Sequence, residues 1–140
     1  LVYTCDRHQS SNVHEDVFSN TKKYMRRISL IERMRVLAKR MTECINDEIK
    51  LSILLNETWE LQKKLHHEME SPAMKKLQTV SDSYLACRAT GAGGGGCMIF
   101  YAKPEKKKQL ISFFNKMKKD LPRMNVLPFE FDWKGIELKR

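Results

Sequence analysis

The sequence has 140 residues and a formal net charge of +9; 41% of the residues are hydrophobic and 31% are charged. This length and composition predict one soluble globular domain and exclude a disordered chain. No apolar run approaches the roughly 20 residues that cross a bilayer, so no membrane partner is expected. The first residues lack the features of a signal peptide, which predicts a cytoplasmic protein, and the missing initiator Met predicts that the chain begins inside a longer one.

The positive charge favours anionic partners, and the sequence offers no metal site. The densest lysine runs, from Lys103 to Lys108 and from Lys116 to Lys119, are expected to form a solvated helix face. Nucleic acid is disfavoured because aromatic residues do not alternate with these lysines. The cysteines are far apart and predict free thiols; they are Cys5, Cys44, Cys87 and Cys97.

The first half of the chain predicts one strand followed by two long helices. The strand begins at Leu1, and the polar turn after it contains Ser10 and Ser11. Helical spacing then runs from about Val13 to Ile45, with an apolar face of Ile31, Met34, Leu37, Ala38, Met41 and Ile45. Asn46-Asp47 predicts a break and a new cap. The second helix carries its apolar face on Leu51, Leu54, Leu55, Thr58, Leu61 and Leu65. Trp59 is expected to be covered by another domain or subunit.

The second half predicts a short helix, a glycine loop between two strands, a fourth helix and two final strands. Pro72 fits the first turn of the short helix, which carries Met74, Leu77 and Val80. The uninterrupted apolar run from Cys97 to Tyr101 predicts a buried strand. Pro104 opens the fourth helix, whose apolar face is Leu110, Phe113, Phe114, Met117 and Leu121. An edge strand is predicted at Leu127, Phe129, Phe131 and Trp133, and a last strand at Ile136, Glu137 and Leu138. The order predicts an α+β fold in which helices cover a small, mainly antiparallel sheet.

The loop from Gly91 to Gly96 holds five of the six glycines and is the most informative segment. A dinucleotide-binding turn needs a helix after the glycines, but a predicted strand follows here. A Walker A loop needs a terminal Gly-Lys-Ser/Thr, and a protein-kinase loop needs catalytic motifs downstream; neither is present. What remains is a loop whose backbone passes close to a ligand or to a neighbouring segment. The residues alone leave both alternatives open.

The stretch from Thr90 to Tyr101 resembles the third motif of the GHMP kinases (galacto-, homoserine, mevalonate and phosphomevalonate kinases). Its four consecutive glycines are most similar to the branch that phosphorylates D-glycero-D-manno-heptose 7-phosphate. The segment Leu54 to Leu65 resembles that branch's helix L-L-x-E-x-W-x-L-K-K-x-L. The first residues, with Arg7 and Ser10-Ser11, resemble L-V-Y-T-G-x-x-R-x-S-S, and Val126 to Phe131 resembles the closing strand.

This resemblance implies that residues 1–140 are a GHMP kinase C-terminal domain with a ferredoxin-like sheet. The family uses ATP and magnesium, but its phosphate-binding loop and catalytic aspartate lie in an N-terminal domain. No catalytic residue and no metal ligand is therefore expected in this chain, which by itself should be inactive. The implied partners are a sugar or sugar phosphate and the missing N-terminal kinase domain. A homodimer is a further partner that the sequence leaves open.

The resemblance also implies the residues of a substrate cleft. Its wall would be the glycine loop, and the loop residues are Gly91, Ala92, Gly93, Gly94, Gly95 and Gly96. The substrate-binding candidates are Thr4, Arg7, Ser10, Ser11 and Arg88, because a guanidinium grips phosphate and hydroxyls can bind sugar. The chain departs from the pattern at Cys5 and Cys97, where a glycine and an aromatic residue are expected. An inactive kinase-derived ligand-binding or regulatory module is therefore the alternative.

Overall fold

A four-stranded antiparallel sheet organises the protein. The computed structural model describes residues 1–6, 21–91, 93–132 and 134. Within that part the strands are β1 (Val2–Tyr3), β2 (Ala86–Ala89), β3 (Cys97–Tyr101) and β4 (Asn125–Val126), and the helices are α1 (Thr21–Glu43), α2 (Glu48–Lys63), α3 (Pro72–Leu77) and α4 (Lys107–Met117). The strands lie in the order β2-β3-β1-β4. Helices α1, α2 and α3 connect β1 to β2, and α4 connects β3 to β4. This is the predicted ferredoxin-like α+β arrangement.

One face of the sheet supplies most of the hydrophobic core. Ala89, Met98, Val2 and Val126 are register partners in successive strands and point to the same side. The helices bury larger side chains against this row, namely Trp59, Met74, Leu77, Leu110 and Phe114. Trp59 is 2% exposed, so the expectation that another domain or subunit covers it is wrong. Trp59 lies on the face of α2 that packs against the sheet, so the domain's own core covers it.

The helix α1 packs on the opposite side of α2 and forms a second, smaller core. Leu30 and Leu37 of α1 are buried against Leu54 and Leu61 of α2, and Met34 and Met41 are half-buried beside them. The buried positions therefore follow the spacing 30, 34, 37 and 41. The predicted face was partly wrong, because Ile31, Ala38 and Ile45 are exposed. The prediction was right for Met34, Leu37 and Met41, but it made the face too wide by adding those three exposed residues.

Helix boundaries follow the polar residues at each N-terminus. The Asp47 carboxylate accepts a hydrogen bond from the Lys50 N–H (3.0 Å), which confirms the predicted cap of α2. Ser71 caps α3 in the same way, and Pro72 occupies its first turn. The helix α3 ends at Leu77, so Val80 lies beyond it. Pro104 begins a 3₁₀ turn that continues directly into α4. The expected helix residues before position 21 lie outside the described residues.

The predicted edge strand is displaced toward the N-terminus. Strand β4 does lie at the edge of the sheet, but it consists of Asn125 and Val126. Pairing continues for one more bond, from the Leu127 N–H to the Leu1 carbonyl (2.9 Å). Pro128 then has no N–H to donate, and residues 127–132 form no regular structure. Trp133 and the predicted last strand at 136–138 lie outside the described residues.

The other edge, strand β2, is bordered by α2. Asn56 donates from its side-chain amide to the Leu85 carbonyl (3.0 Å) and accepts from the Cys87 N–H (3.2 Å). Among the described helices, none is both long and apolar enough to span a membrane.

The predicted solvated lysine face is confirmed on α4, where Lys107, Lys108 and Lys116 are exposed.

Candidate functional site at the glycine loop

The glycine loop is the turn that joins β2 to β3. Thr90 closes the base of the turn, because its N–H and its hydroxyl both donate to the Cys97 carbonyl, at 2.9 and 3.1 Å. The strand predicted after the glycines is present, so the structure agrees with the rejection of a dinucleotide-binding turn. Ala92 lies outside the described residues.

Two glycines lie against the backbone of other segments. A Cβ at Gly93 would come within 2.7 Å of the Met69 carbonyl oxygen, and the φ of Gly93 is +89°. A Cβ at Gly95 would come within 2.5 Å of the Asp6 carbonyl oxygen. Backbone atoms cannot move aside as the end of a side chain can. The sequence therefore needs glycine at both positions for close packing, whether or not a ligand binds.

Part of the loop's hydrogen-bonding capacity is used within the protein. The Gly94 N–H donates to the Met69 carbonyl (2.7 Å), and the Gly96 N–H donates to the Asp6 carbonyl (3.3 Å). The N–H groups of Gly93 and Gly95 donate to no residue in the described part of the chain. Alternate amides of the loop are thus committed to the fold, which differs from a cradle in which successive amides converge on a phosphate.

Strand β1 and the residues after it hold the end of the loop. Thr4 is 3% exposed; its N–H and hydroxyl both donate to the Gly96 carbonyl, at 2.7 and 2.9 Å. The Thr4 hydroxyl also accepts from the Asp6 N–H (3.3 Å). This placement favours a structural role for Thr4, and its contact with a substrate stays a prediction.

The two residues after Thr4 have unusual environments. Cys5 has a φ of +64°, in the left-handed region that favours glycine. The glycine expected at this position from the resemblance would adopt this φ without strain. One carboxylate oxygen of Asp6 is buried and has no hydrogen-bond partner within the described residues. Burying a carboxylate oxygen without a hydrogen bond costs free energy. Asp6 therefore makes the segment beside Gly95 and Gly96 a polar site.

Arg88 lies at the other end of the loop, on β2. It pairs with the exposed Ile99 in register, so its side chain leaves the sheet on the face away from the core. Its Nε donates to the Ala89 carbonyl (3.3 Å) and its Nη2 to the Gln62 Oε1 (3.4 Å). Burial lowers the pKa of this guanidinium, and no neighbouring carboxylate offsets that effect among the described residues.

Gln62 connects Arg88 to the loop. It is 3% exposed, and while its oxygen accepts from Arg88 its Nε2 donates to the Gly91 carbonyl (2.8 Å). Gln62 was not among the predicted site residues. The available signal was a polar residue three positions after Trp59, on the inner face of an amphipathic helix. The contribution of the Met69 carbonyl had no signal, because a backbone carbonyl has no residue preference.

The structure does not describe the remaining predicted substrate-binding candidates. Arg7, Ser10 and Ser11 lie outside the described residues, and their roles stay predictions. His66 and His67 follow α2 with ring centroids 4.2 Å apart. No group of three or more His, Cys, Asp or Glu side chains that could hold a metal ion occurs in the described part of the chain.

The fold and loop together define the class: a ferredoxin-like domain whose β2–β3 turn is a glycine loop packed on the backbone. Residues 22–120 match the family described as GHMP kinases C terminal, and the chain belongs to that family. A mevalonate kinase from Methanocaldococcus jannaschii is 34% identical over 64 residues, covering 45% of this chain and 20% of that protein. The match thus spans about a fifth of that relative's length. No solved structure matches the chain significantly.

Proposed function

We propose that this chain forms the substrate side of the cleft in an ATP-dependent small-molecule kinase of the GHMP family. The acceptor we propose is a sugar or sugar phosphate, of the heptose-phosphate type. The observation that carries the proposal is the glycine loop, held between the backbone of Asp6 and the backbone of Met69. Membership of the family supports phosphoryl transfer, and the sequence resemblance described above supports the sugar-phosphate acceptor.

The loop suits a cleft wall better than a phosphate cradle. Phosphoryl transfer depends mainly on positioning and on stabilising charge on the transferred group. A loop fixed at Thr4, Met69 and Gln62 is rigid enough to position an acceptor. Its free surface is backbone, which lets a ligand approach closely. In this proposal the chain binds and orients the acceptor, and the upstream domain supplies the phosphoryl-transfer residues.

The described residues do not fit the cofactors that the family implies. ATP phosphates need several convergent donors, yet Gly94 and Gly96 already donate to the protein. Magnesium needs an octahedral set of oxygen ligands, and Asp6 contributes the only orphaned carboxylate oxygen among the described residues. When bound to the complete enzyme, ATP would supply the phosphoryl group. Its binding determinants are proposed to lie outside this chain.

The test is ATP turnover by the protein that contains this chain, measured against a panel of acceptors. The panel consists of sugars, heptose and hexose phosphates, and mevalonate, because the similar archaeal protein is a mevalonate kinase. We expect turnover with a sugar phosphate and no turnover by the 140-residue chain alone. Turnover with mevalonate alone would refute the sugar-phosphate acceptor while keeping the kinase.

One observation favours the second candidate, an inactive module that binds ligand. Cys5 occupies a left-handed position at which the resembling kinases carry glycine, so the turn beside the loop has lost its preferred residue. The absence of turnover with every acceptor, combined with measurable binding of one of them, would select this module. Turnover with any acceptor would eliminate it.

A further inference from the structure

Arg88 is a half-buried cation with incomplete hydrogen bonding. A guanidinium carries five N–H donors. Two of them make bonds of 3.3 and 3.4 Å, both to neutral oxygens, from Ala89 and Gln62. Two exposed arginines show the contrast with a carboxylate partner: Arg33 pairs with Glu57 (3.6 Å) and Arg35 with Glu32. Removing a cation from water without an opposite charge is unfavourable, and a site that binds an anion removes that penalty.

Gln62 determines where this cation lies. The Gln62 amide is buried and has its oxygen on Arg88 and its nitrogen on the Gly91 carbonyl. A glutamine can hold an arginine in place without neutralising it, whereas a glutamate at the same position would form an ion pair and cancel the charge. The structure therefore keeps a positive charge one amide group away from the first glycine of the loop.

We propose that Arg88, positioned by Gln62, binds an oxyanion that the acceptor substrate carries before phosphoryl transfer. The oxyanion is a phosphate or a carboxylate, either of which matches the planar fork of a guanidinium. Gln62 acts as a positioning residue through Arg88. The inference rests on the proposed function in one respect, which is that the bound anion belongs to the acceptor.

The first experiment titrates the 140-residue chain with inorganic phosphate and, separately, with acetate, and follows the Arg88 Nε–H resonance by NMR. We expect saturable binding with a dissociation constant on the order of 1–10 mM for at least one of the two anions. Phosphate binding alone assigns the site to a phosphorylated acceptor, and acetate binding alone assigns it to a carboxylate. If neither anion moves the resonance, the proposal is wrong.

Three variants each lower the net charge by one. They distinguish specific anion binding at Arg88 from nonspecific electrostatic attraction to a basic protein. Arg88→Met and Gln62→Glu should each weaken anion binding about tenfold or more, because a charged hydrogen-bonded contact is lost or cancelled. Lys116→Met, on the exposed face of α4, should change binding less than twofold. Equal weakening by all three would overturn the proposal.

Arg88→Lys guards against misfolding as the explanation. It keeps the charge but loses the fork, so binding should survive and be weakened only a few-fold. Unchanged binding in Arg88→Met would also overturn the proposal. Because no ATP is present, these titrations do not depend on phosphoryl transfer. A complete protein that binds the anion through Arg88 and never turns over ATP would refute the proposed function and keep this inference.

Discussion

The two sides of helix α2 show two different ways of stabilising a helix. On the sheet side, Trp59 is enclosed by residues of β2, α3 and α4 in a core of twelve buried residues. On the other side, α2 and α1 bury four residues against each other. Large apolar side chains stay exposed on α1 and its turn, such as Met25 (64%) and Ile45 (63%). We infer that the sheet side forms the cooperative unit of the fold and that α1 is attached to it more weakly.

The largest expected effect comes from removing Trp59. Trp59→Ala should lower the free energy of unfolding by about 3–5 kcal/mol, because a large cavity forms in the sheet-side core. The matched change on the other side, Leu37→Ala, should mainly accelerate hydrogen exchange in α1 and leave β3 protected. Chemical denaturation and amide exchange measure the two effects. Equal loss of protection in α1 and β3 for Leu37→Ala would show that the two sides unfold together.

The glycine loop provides a comparison within one turn. Gly93→Ala should cost about 3 kcal/mol or more, because it combines a backbone clash with a positive φ. Gly91→Ala should cost only about 1–2 kcal/mol, since nothing lies within 4 Å of its Cβ position and only the φ of +65° opposes it. Thermal unfolding of the two variants checks this order. Similar costs would mean that the loop moves away from Met69.

Alkaline pH should weaken the sheet-side core. Burial raises the pKa of the Cys87 thiol to about 11 from its ordinary value near 9.0, and burial also raises the pKa of Tyr84. Above pH 9 the unfolded chain loses the thiol proton while the folded chain keeps it. Stability therefore falls as the pH rises from 9 to about 11, by up to about 1.4 kcal/mol per pH unit for this thiol.

The control for the alkaline effect is Cys87→Ala. Its unfolding free energy should depend less steeply on pH between 9 and 11 than that of the natural chain, when both are measured by urea denaturation. Identical slopes would contradict the assignment to Cys87.

The smallest expected effect is a gain of stability at Cys5. Cys5→Gly removes a left-handed strain of about 1–2 kcal/mol and adds unfolded-state entropy of about 0.5–1 kcal/mol. The net gain should be about 0.5–1 kcal/mol, visible as a higher melting temperature. Cys97→Gly, at the start of β3, should be destabilising instead. A loss of stability in Cys5→Gly would indicate that its side chain has a packing role.

Features that depend on residue type at short range could be predicted from the sequence. The cap at Asp47, the proline at the start of α3, the strand after the glycines and the amphipathic face of α4 all follow from local preferences. The order of elements then led to the correct α+β fold. The position of β4 was wrong because alternating residues such as Phe129 and Phe131 suggested a strand, whereas Pro128 lacks the N–H that pairing needs.

The site was only partly predictable. Glycine composition identified the loop, but the reason for Gly93 and Gly95 lies in carbonyls of Met69 and Asp6, which are distant in the chain and carry no residue signature. Arg88 could be named from its charge. Gln62 could not, because a glutamine on a helix is common and its two partners meet only in the folded chain.

The side chain of Asn56 has a consequence for how copies of this domain behave in solution. By donating to Leu85 and accepting from Cys87, it occupies the donor and acceptor that β2 would otherwise offer to a strand from another molecule. At the opposite edge, β4 is short and is followed by Pro128. Both edge strands of the sheet are therefore poor templates for pairing with a strand of another molecule. Association between copies should instead involve the helices. At high concentration, the exposed methionine and isoleucines of α1 and the turn after it would form the contact surface.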